Sequence, residues 1–297
     1  MLADQDTALA IVHRGKNHRP LLRHCAIHPA IEIKAEQVLA PLSRNRDLAD
    51  AGISGVLGTD DYELVQLEAP DVQPAEMRSA VRWKLRDIIS FPATDAIVDV
   101  FEIPEQARYV ENRMIFAVAA RSEAVDRVVR LIQPRVPGFD VLDIPELCLR
   151  NLTALLPQDA DGVALIALGS HFAQLVLTCQ GILYLARRID LRPVGNSPRD
   201  GGEAASVFDV EALAVELQRS LDYYESHYDR QPITQVVLTS GDERAAAISD
   251  SLQTHIGMSV ELLDVRELFE VAPGVDPDTR WLGLLAVGAA LRTEGAS

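Results

Sequence analysis

Residues 163–190, VALIALGSHFAQLVLTCQGILYLARRID, constrain the fold more than any other stretch. Three apolar runs, at 163–168, 172–178 and 182–189, are divided at Gly169-Ser170 and at Gln180-Gly181. Runs of this length between glycine turns predict three consecutive strands, because glycine relieves the steric limits on the backbone at a reversal. A strand, a glycine-containing turn and a strand can line a phosphate with backbone N–H groups. A carboxylate on the first strand, beside such a turn, is one way to hold a metal and orient water for phosphate chemistry. That strand ends Ile166-Ala167-Leu168-Gly169, with no Asp or Glu before the turn. The scaffold is expected and its chemistry is not.

The chain of 297 residues is long enough for two lobes with separate cores. Its net charge of −16 argues against a general nucleic-acid binder, which needs clustered Lys and Arg against phosphate. Cys25, Cys148 and Cys179 lie far apart, and an odd, sparse set gives no disulfide framework. That usage fits a reducing cytoplasm. Residues 1–6 are polar and acidic where a signal peptide is basic and then apolar, so a cytoplasmic location is expected. The apolar stretch 281–291 falls well short of the about 20 residues of a membrane span and reads as a buried helix.

Two halves share a rhythm of strands followed by alternating helix and strand. In the first, 7–12 and 21–27 read as strands, 34–48 as a helix bent or interrupted at Pro41, and 56 and 62–67 as a continuation of the sheet. Residues 122–132 are an amphipathic helix, 139–144 a strand and 145–156 a helix with proline in its first turn. The second half continues from its three strands with a helix at 206–228, a strand at 233–238, a helix at 243–256 and a strand at 259–263. This order predicts an α/β fold of two ribonuclease-H-like lobes, residues 1–158 and 159–297, with the boundary near 157–161. The first lobe carries an insertion over about 70–120, with a helix at 74–89 and a hairpin from 96–103 and 114–120. Residues 193–203 read as a loop. Ser206 with Asp209 has the form of a capping box for the helix at 206–228.

Several segments carry a family resemblance. They are APDVQPAEMRSAVRWKLRDIISFP at 69–92, VLDIPELCLRNL at 141–152, LAVELQRSLDYYES at 213–226, VVLTSG at 236–241 and the closing 281–291. In this order they resemble the PilM-like proteins of type IV pilus assembly, most closely the MshI branch of the mannose-sensitive haemagglutinin pilus. None is a catalytic motif. The resemblance implies an actin-like, duplicated ribonuclease-H-like fold and a cytoplasmic place at the inner-membrane face. It also implies docking onto the cytoplasmic tail of a PilN-like inner-membrane protein. Members of that family bind ATP through Asp-x-Gly turns in both lobes and a Gly-Gly turn near the adenosine. Here Ala167 stands where the second-lobe Asp is expected, and Ser240-Gly241 replaces Gly-Gly, followed by Asp242. Residues 7–12 match the family's second strand. Its first strand is therefore expected before them, where 1–6 offer Asp4 and Asp6 but no glycine. Either that strand is missing or the coding sequence begins further upstream. The expectation is a vestigial nucleotide cleft at Ala167, Gly169, Ser170, Ser240 and Gly241, with no cofactor, neither ATP nor magnesium.

Other residues invite chemistry that the pattern does not support. His24 and His28 flank Cys25, but in a strand four residues span about 13 Å, too far for one ion bound at about 2 Å. No metal site is expected. His171 is read as an exposed turn residue, and His227 and His255 as helix-end residues. The inserted helix places Met77, Val81, Leu85 and Ile88 on one stripe and Trp83 opposite, beside Arg78, Arg82, Lys84 and Arg86. Two readings of that opposite face stand. Trp83 packs against the hairpin, or Arg82, Trp83 and Lys84 form a docking surface for a partner tail, the cations meeting carboxylates or anionic lipid heads. The leading functional reading is a non-enzymatic scaffold of a type IV pilus machine. The alternatives are an active ATPase whose nucleotide state gates partner binding, and a type II secretion scaffold.

Overall fold

The computed structural model describes residues 6–15, 19–31, 33–42, 51–103, 113–136, 138–191, 193–194, 207–241, 245–278 and 280–293. The first half opens with β1 (Asp6–His13) and β2 (Leu21–Pro29), an antiparallel pair, followed by the short helix α1 (Ala35–Leu39). Residues 43–50, the end of the helix expected at 34–48, lie outside the described residues. β3 (Ile53–Val56) then leads into β4 (Tyr62–Glu68), α2 (Met77–Leu85), β5 (Ala96–Glu102) and β6 (Met114–Arg121). α3 (Ser122–Ile132), β7 (Phe139–Asp143) and α4 (Pro145–Thr153) complete the half.

β3 pairs in parallel with β7, as expected for neighbours joined through a helix. β4 does not continue that sheet. It pairs along its whole length with β6, from Tyr62 opposite Ala120 to Glu68 opposite Met114. The inserted sheet, ordered β4-β6-β5, therefore reaches back to Tyr62, ahead of the expected start near Pro70. α2 covers one face of it. Met77, Val81, Leu85 and Ile89 pack there on Ala96, Val98, Ile115 and Ala117. Ile88, expected on the buried stripe, is 52% exposed. The helix ends at Leu85, so its period no longer applies and Ile89 turns inward instead.

The second half holds β8 (Val163–Leu168), β9 (Phe172–Cys179) and β10 (Ile182–Asp190), three antiparallel strands as the glycine turns predict. Gln180 and Gly181 both have positive φ at the second reversal, 54° and 73°. β11 (Pro193–Val194) and β12 (Val207–Phe208) bracket a segment outside the described residues, which includes most of the expected loop and Ser206. Asp209 itself caps α5 (Val210–His227), its carboxylate accepting from Ala212 N at 2.9 Å. β13 (Gln235–Thr239), α6 (Ala245–Ile256), β14 (Val260–Leu262), β15 (Glu270–Val271) and α7 (Trp281–Ala290) follow. The sheet order β10-β9-β8-β13-β14, with β8, β13 and β14 parallel, is a complete ribonuclease-H-like lobe. The core runs from it through α4 and α7 to Leu22, Val56 and Phe116 of the first lobe.

Candidate functional site

β8 and β13 lie in parallel register with Ala167 opposite Thr239, so the turns that follow them emerge side by side. Gly169, Ser170, Ser240 and Gly241 accordingly line one cleft of about 510 Å³, together with Asp6, Arg280 and Trp281. Ala167 is fully buried within the sheet. The Gly169 amide donates to the Phe172 carbonyl at 2.8 Å, so it closes its own turn. Gly241 is covered by a later segment of the chain. A Cβ there would lie 2.8 Å from Arg280 Cα and 3.0 Å from Arg280 N. Asp278 fixes that segment with a fork of hydrogen bonds from Arg280, the shortest 2.6 Å, and they hold its carboxyl below the usual range. Trp281 meets the Phe172 ring edge-on at 4.9 Å, and the Arg188 guanidinium lies 4.4 Å from the centre of that ring. Asp242 lies outside the described residues. Among the described residues the fit to a magnesium nucleotide is poor: the sheet offers no carboxylate at 167, the Gly169 amide is engaged and Gly241 is covered, with Asp6 the carboxylate that lines the cleft. Among the described residues no three His, Cys, Asp or Glu side chains converge as metal ligands.

A second concavity, of about 560 Å³, lies on the other side of the inserted sheet from α2. Strand alternation explains its lining. Ala96 and Val98 face α2, so Ile97, Asp99 and Phe101 face the groove, beside Val118 and Ala120 of β6. Leu142, Ile144 and Leu147 form the opposite wall, and Gly181-Ile182 of the second lobe an end. The volume and mainly apolar wall suit a ligand segment with a few polar fixing points. The charged residues of the lining are Asp99, Glu102, Asp143, Arg150 and Arg292. Asp143, buried at the end of β7, accepts from Arg292 Nη1 at 2.9 Å and from the Ile144 amide at 3.0 Å. Arg150 Nη1 donates to the Gly181 carbonyl at 3.2 Å, and burial lowers the Arg150 pKa. β5 is an edge strand, and the groove touches it at Ile97 and at each residue from Asp99 to Glu102. Sequence reasoning missed this site, because its walls come from β5, β6, β7, α4, the β9–β10 turn and Arg292.

Arg82, Trp83 and Lys84 do not line the groove. Trp83 is 65% exposed on the side of α2 turned away from the sheet, so it does not pack on the hairpin. Its contact is with Arg86, whose guanidinium lies 4.0 Å from the ring centre. Lys84 Nζ donates to the Glu68 carbonyl at 3.0 Å, and Arg82 has no carboxylate within ion-pair distance among the described residues. His171 is exposed, while His227 and His255 each bond a carbonyl of their own helix. His24 and His28 lie along β2, as the strand reading requires. All three cysteines are free and buried, and burial pushes the Cys25 thiol up to about 11, leaving no reactive thiolate.

No known family profile matches the sequence, and no curated protein is similar to it in sequence. Solved structures are similar. A chain of the "PilM-PilN type IV pilus biogenesis complex" superposes with a TM-score of 0.65 at 19% identity, over 97% of this chain and 95% of that one. A Bacteroides thetaiotaomicron protein described as having an actin-like ATPase fold and unknown function gives 0.47 at 8% identity, over 94% and 95%. The cytoplasmic domain of EpsL, an inner-membrane component of the type II secretion system of Vibrio cholerae, gives 0.45 at 10%, over 97% and 96%. At such identities likeness speaks for the fold alone: this chain has the actin-like ATPase fold.

Proposed function

We propose that this protein is a non-enzymatic cytoplasmic scaffold of a type IV pilus machine, a PilM-like protein of the MshI branch. It docks the cytoplasmic tail of a PilN-like inner-membrane protein in the groove beneath the inserted sheet. The observation that carries the reading is the contrast between the two concavities. In the phosphate-type cleft Arg280 packs over the Gly241 turn, whereas the groove is mainly apolar and bordered by an edge strand. An edge strand offers one row of backbone N–H and C=O groups to an extended peptide, and the pockets beside it select alternate side chains. The likeness to a chain solved in a PilM-PilN complex supports the partner class.

The test is titration of a labelled N-terminal peptide of a PilN-like protein into this protein, beside calorimetry with Mg-ATP. Ile97 is 44% exposed on the groove wall, so Ile97→Glu is expected to leave the melting temperature in place and weaken the peptide at least about tenfold, near 1.4 kcal/mol. Mg-ATP is expected to show no saturable binding below the millimolar range, roughly −4 kcal/mol. Peptide binding indifferent to Ile97→Glu would move the partner elsewhere. Micromolar ATP binding would favour an ATPase that gates assembly.

A further inference from the structure

We propose that the outward face of α2 is a membrane-contact surface, which lays Trp83 into the headgroup region of an anionic bilayer with Arg82, Lys84 and Arg86 against lipid phosphates. Five observations converge on it. Residues 74–89 hold four cations, Arg78, Arg82, Lys84 and Arg86, against two carboxylates, Glu76 and Asp87, in a chain of net charge −16. This is therefore a face that an acidic molecule can bring to a negative surface. Arg78 is engaged with Asp99 at 2.9 Å, but Arg82 has no carboxylate partner among the described residues. Lys84 is held by a carbonyl, which leaves its charge uncompensated. Trp83 at 65% and Ile88 at 52% exposure set an aromatic ring and an aliphatic side chain among those cations. Arg86 stacks on the indole and its Nε lies 3.6 Å from Asp87, while its terminal nitrogens have no carboxylate partner among the described residues and can meet phosphate.

The shape decides between a bilayer and an acidic peptide. A tryptophan that anchors a peptide sits in a desolvated pocket. Trp83 instead stands on a ridge, the solvent side of a helix whose opposite side covers the inserted sheet. A ridge with an indole at its crest and cations on its flanks suits the membrane interface. There tryptophan partitions to the headgroup level and each nearby cation adds attraction to anionic lipid. Arg82, Trp83, Lys84 and Arg86 do not line the tail groove, which opens on the other face of the same sheet; of the four cations Arg78 alone reaches it, through Asp99. The surface is therefore tested without any partner.

The experiment is co-sedimentation of the purified protein with phosphatidylcholine vesicles that either contain or lack phosphatidylglycerol. Quenching of Trp83 by brominated lipid is read in a Trp281→Phe background, since Trp281 is the other tryptophan. Binding is expected only with phosphatidylglycerol and should fall as salt is raised. Arg82→Gln and Arg86→Gln should each weaken it about fivefold. Trp83→Ser should abolish quenching and weaken binding about tenfold with the melting temperature unchanged, because Trp83 packs on Arg86 and not on the core. Equal affinity for both vesicle types, no binding to either, or variants that bind like the parent would overturn the proposal. So would a Trp83→Ser protein that loses the PilN-like peptide while the parent ignores vesicles, which would make this ridge a protein contact.

Discussion

In the second lobe β8 runs between β9 and β13, and all six of its side chains are buried. The first lobe has the two flanks of the same arrangement. β1 and β2 form the antiparallel pair, and β3 and β7 the parallel pair, but among the described residues no strand joins them. The helices compensate unequally. α4, from the first half, lies against β8, β9 and β10; α7, from the second, lies against β1, β2 and β3. Each lobe is thus covered by the other's last helix, and α4 and α7 pack on each other between them. The difference teaches where the burden falls. Among the described residues the second lobe is held by a continuous hydrogen-bonded sheet, whereas the sheets of the first are joined through the packing of α7 and through side-chain bonds from β7 and β4 to Arg292 and α4.

The bond expected to matter most is Arg292 with Asp143, which ties the residues after α7 to the end of β7. Asp143 is 1% exposed in its side chain, so Arg292→Ala leaves a buried carboxylate without its counterion. A loss of about 3 kcal/mol is expected in chemical denaturation, the low end for a buried pair because Arg292 keeps a quarter of its surface in water. Hydrogen exchange should speed up in β3, β7 and α7 while the β8 and β9 amides hold. Adding Asp143→Asn should recover part of the loss, since the stranded charge is then removed. Uniform acceleration through both lobes would break the comparison.

How much of this was legible in sequence follows the same division. β8, β9 and β10 are joined by two glycine turns and pair with their chain neighbours, so local pattern is enough. α3 was legible through its helical period and spans Ser122–Ile132 as expected. β4 is legible as a strand but its sheet is not, because its partner β6 lies some fifty residues on and pairing over that distance leaves no local mark. The gathering of Gly169, Ser170, Ser240 and Gly241 at one cleft followed from fold order. The covering of Gly241 by Arg280 did not, since nothing near either residue announces the contact. Trp83 was placed on the outward side by counting 100° per residue, and the groove lay on the other face of a sheet that sequence could not assemble.

Gly288 sharpens the claim about helix packing. A Cβ built there falls inside the backbone carbonyl of Cys148 in α4, and a backbone atom cannot swing aside as a side-chain tip can. Gly288→Ala is therefore expected to separate α4 from α7 and cost about 1–3 kcal/mol, although alanine is the better helix former. Gly52→Ala, with nothing within 4 Å of its new methyl, should stay within about 0.5 kcal/mol. If the two variants unfold alike, close approach of the helices is not what joins the lobes.

The smallest effect concerns the buried pair under the inserted sheet, where Tyr62 of β4 donates to Glu146 Oε2 in α4 at 2.6 Å. Burial raises the Glu146 pKa, outweighing the Tyr62 hydrogen bond that lowers it. Burial, followed by the nearby carboxylate, also pushes Tyr62 well above its ordinary value. A carboxyl whose pKa is higher folded than unfolded binds more protons in the folded state. Its contribution to stability is then full below the ordinary glutamate pKa and is lost as pH rises through the folded value. Glu146→Gln removes the titration yet keeps a carbonyl oxygen to accept from Tyr62. Its stability relative to the parent is expected to rise by about 1 kcal/mol or less as pH is taken from the acid side to neutrality. Tyr62→Phe should move the other way, leaving the carboxylate desolvated with one donor fewer. Denaturation of both variants across pH checks the sign, and a Glu146→Gln protein that loses ground toward neutral pH would show that the ionised pair, not its burial, holds the inserted sheet to α4.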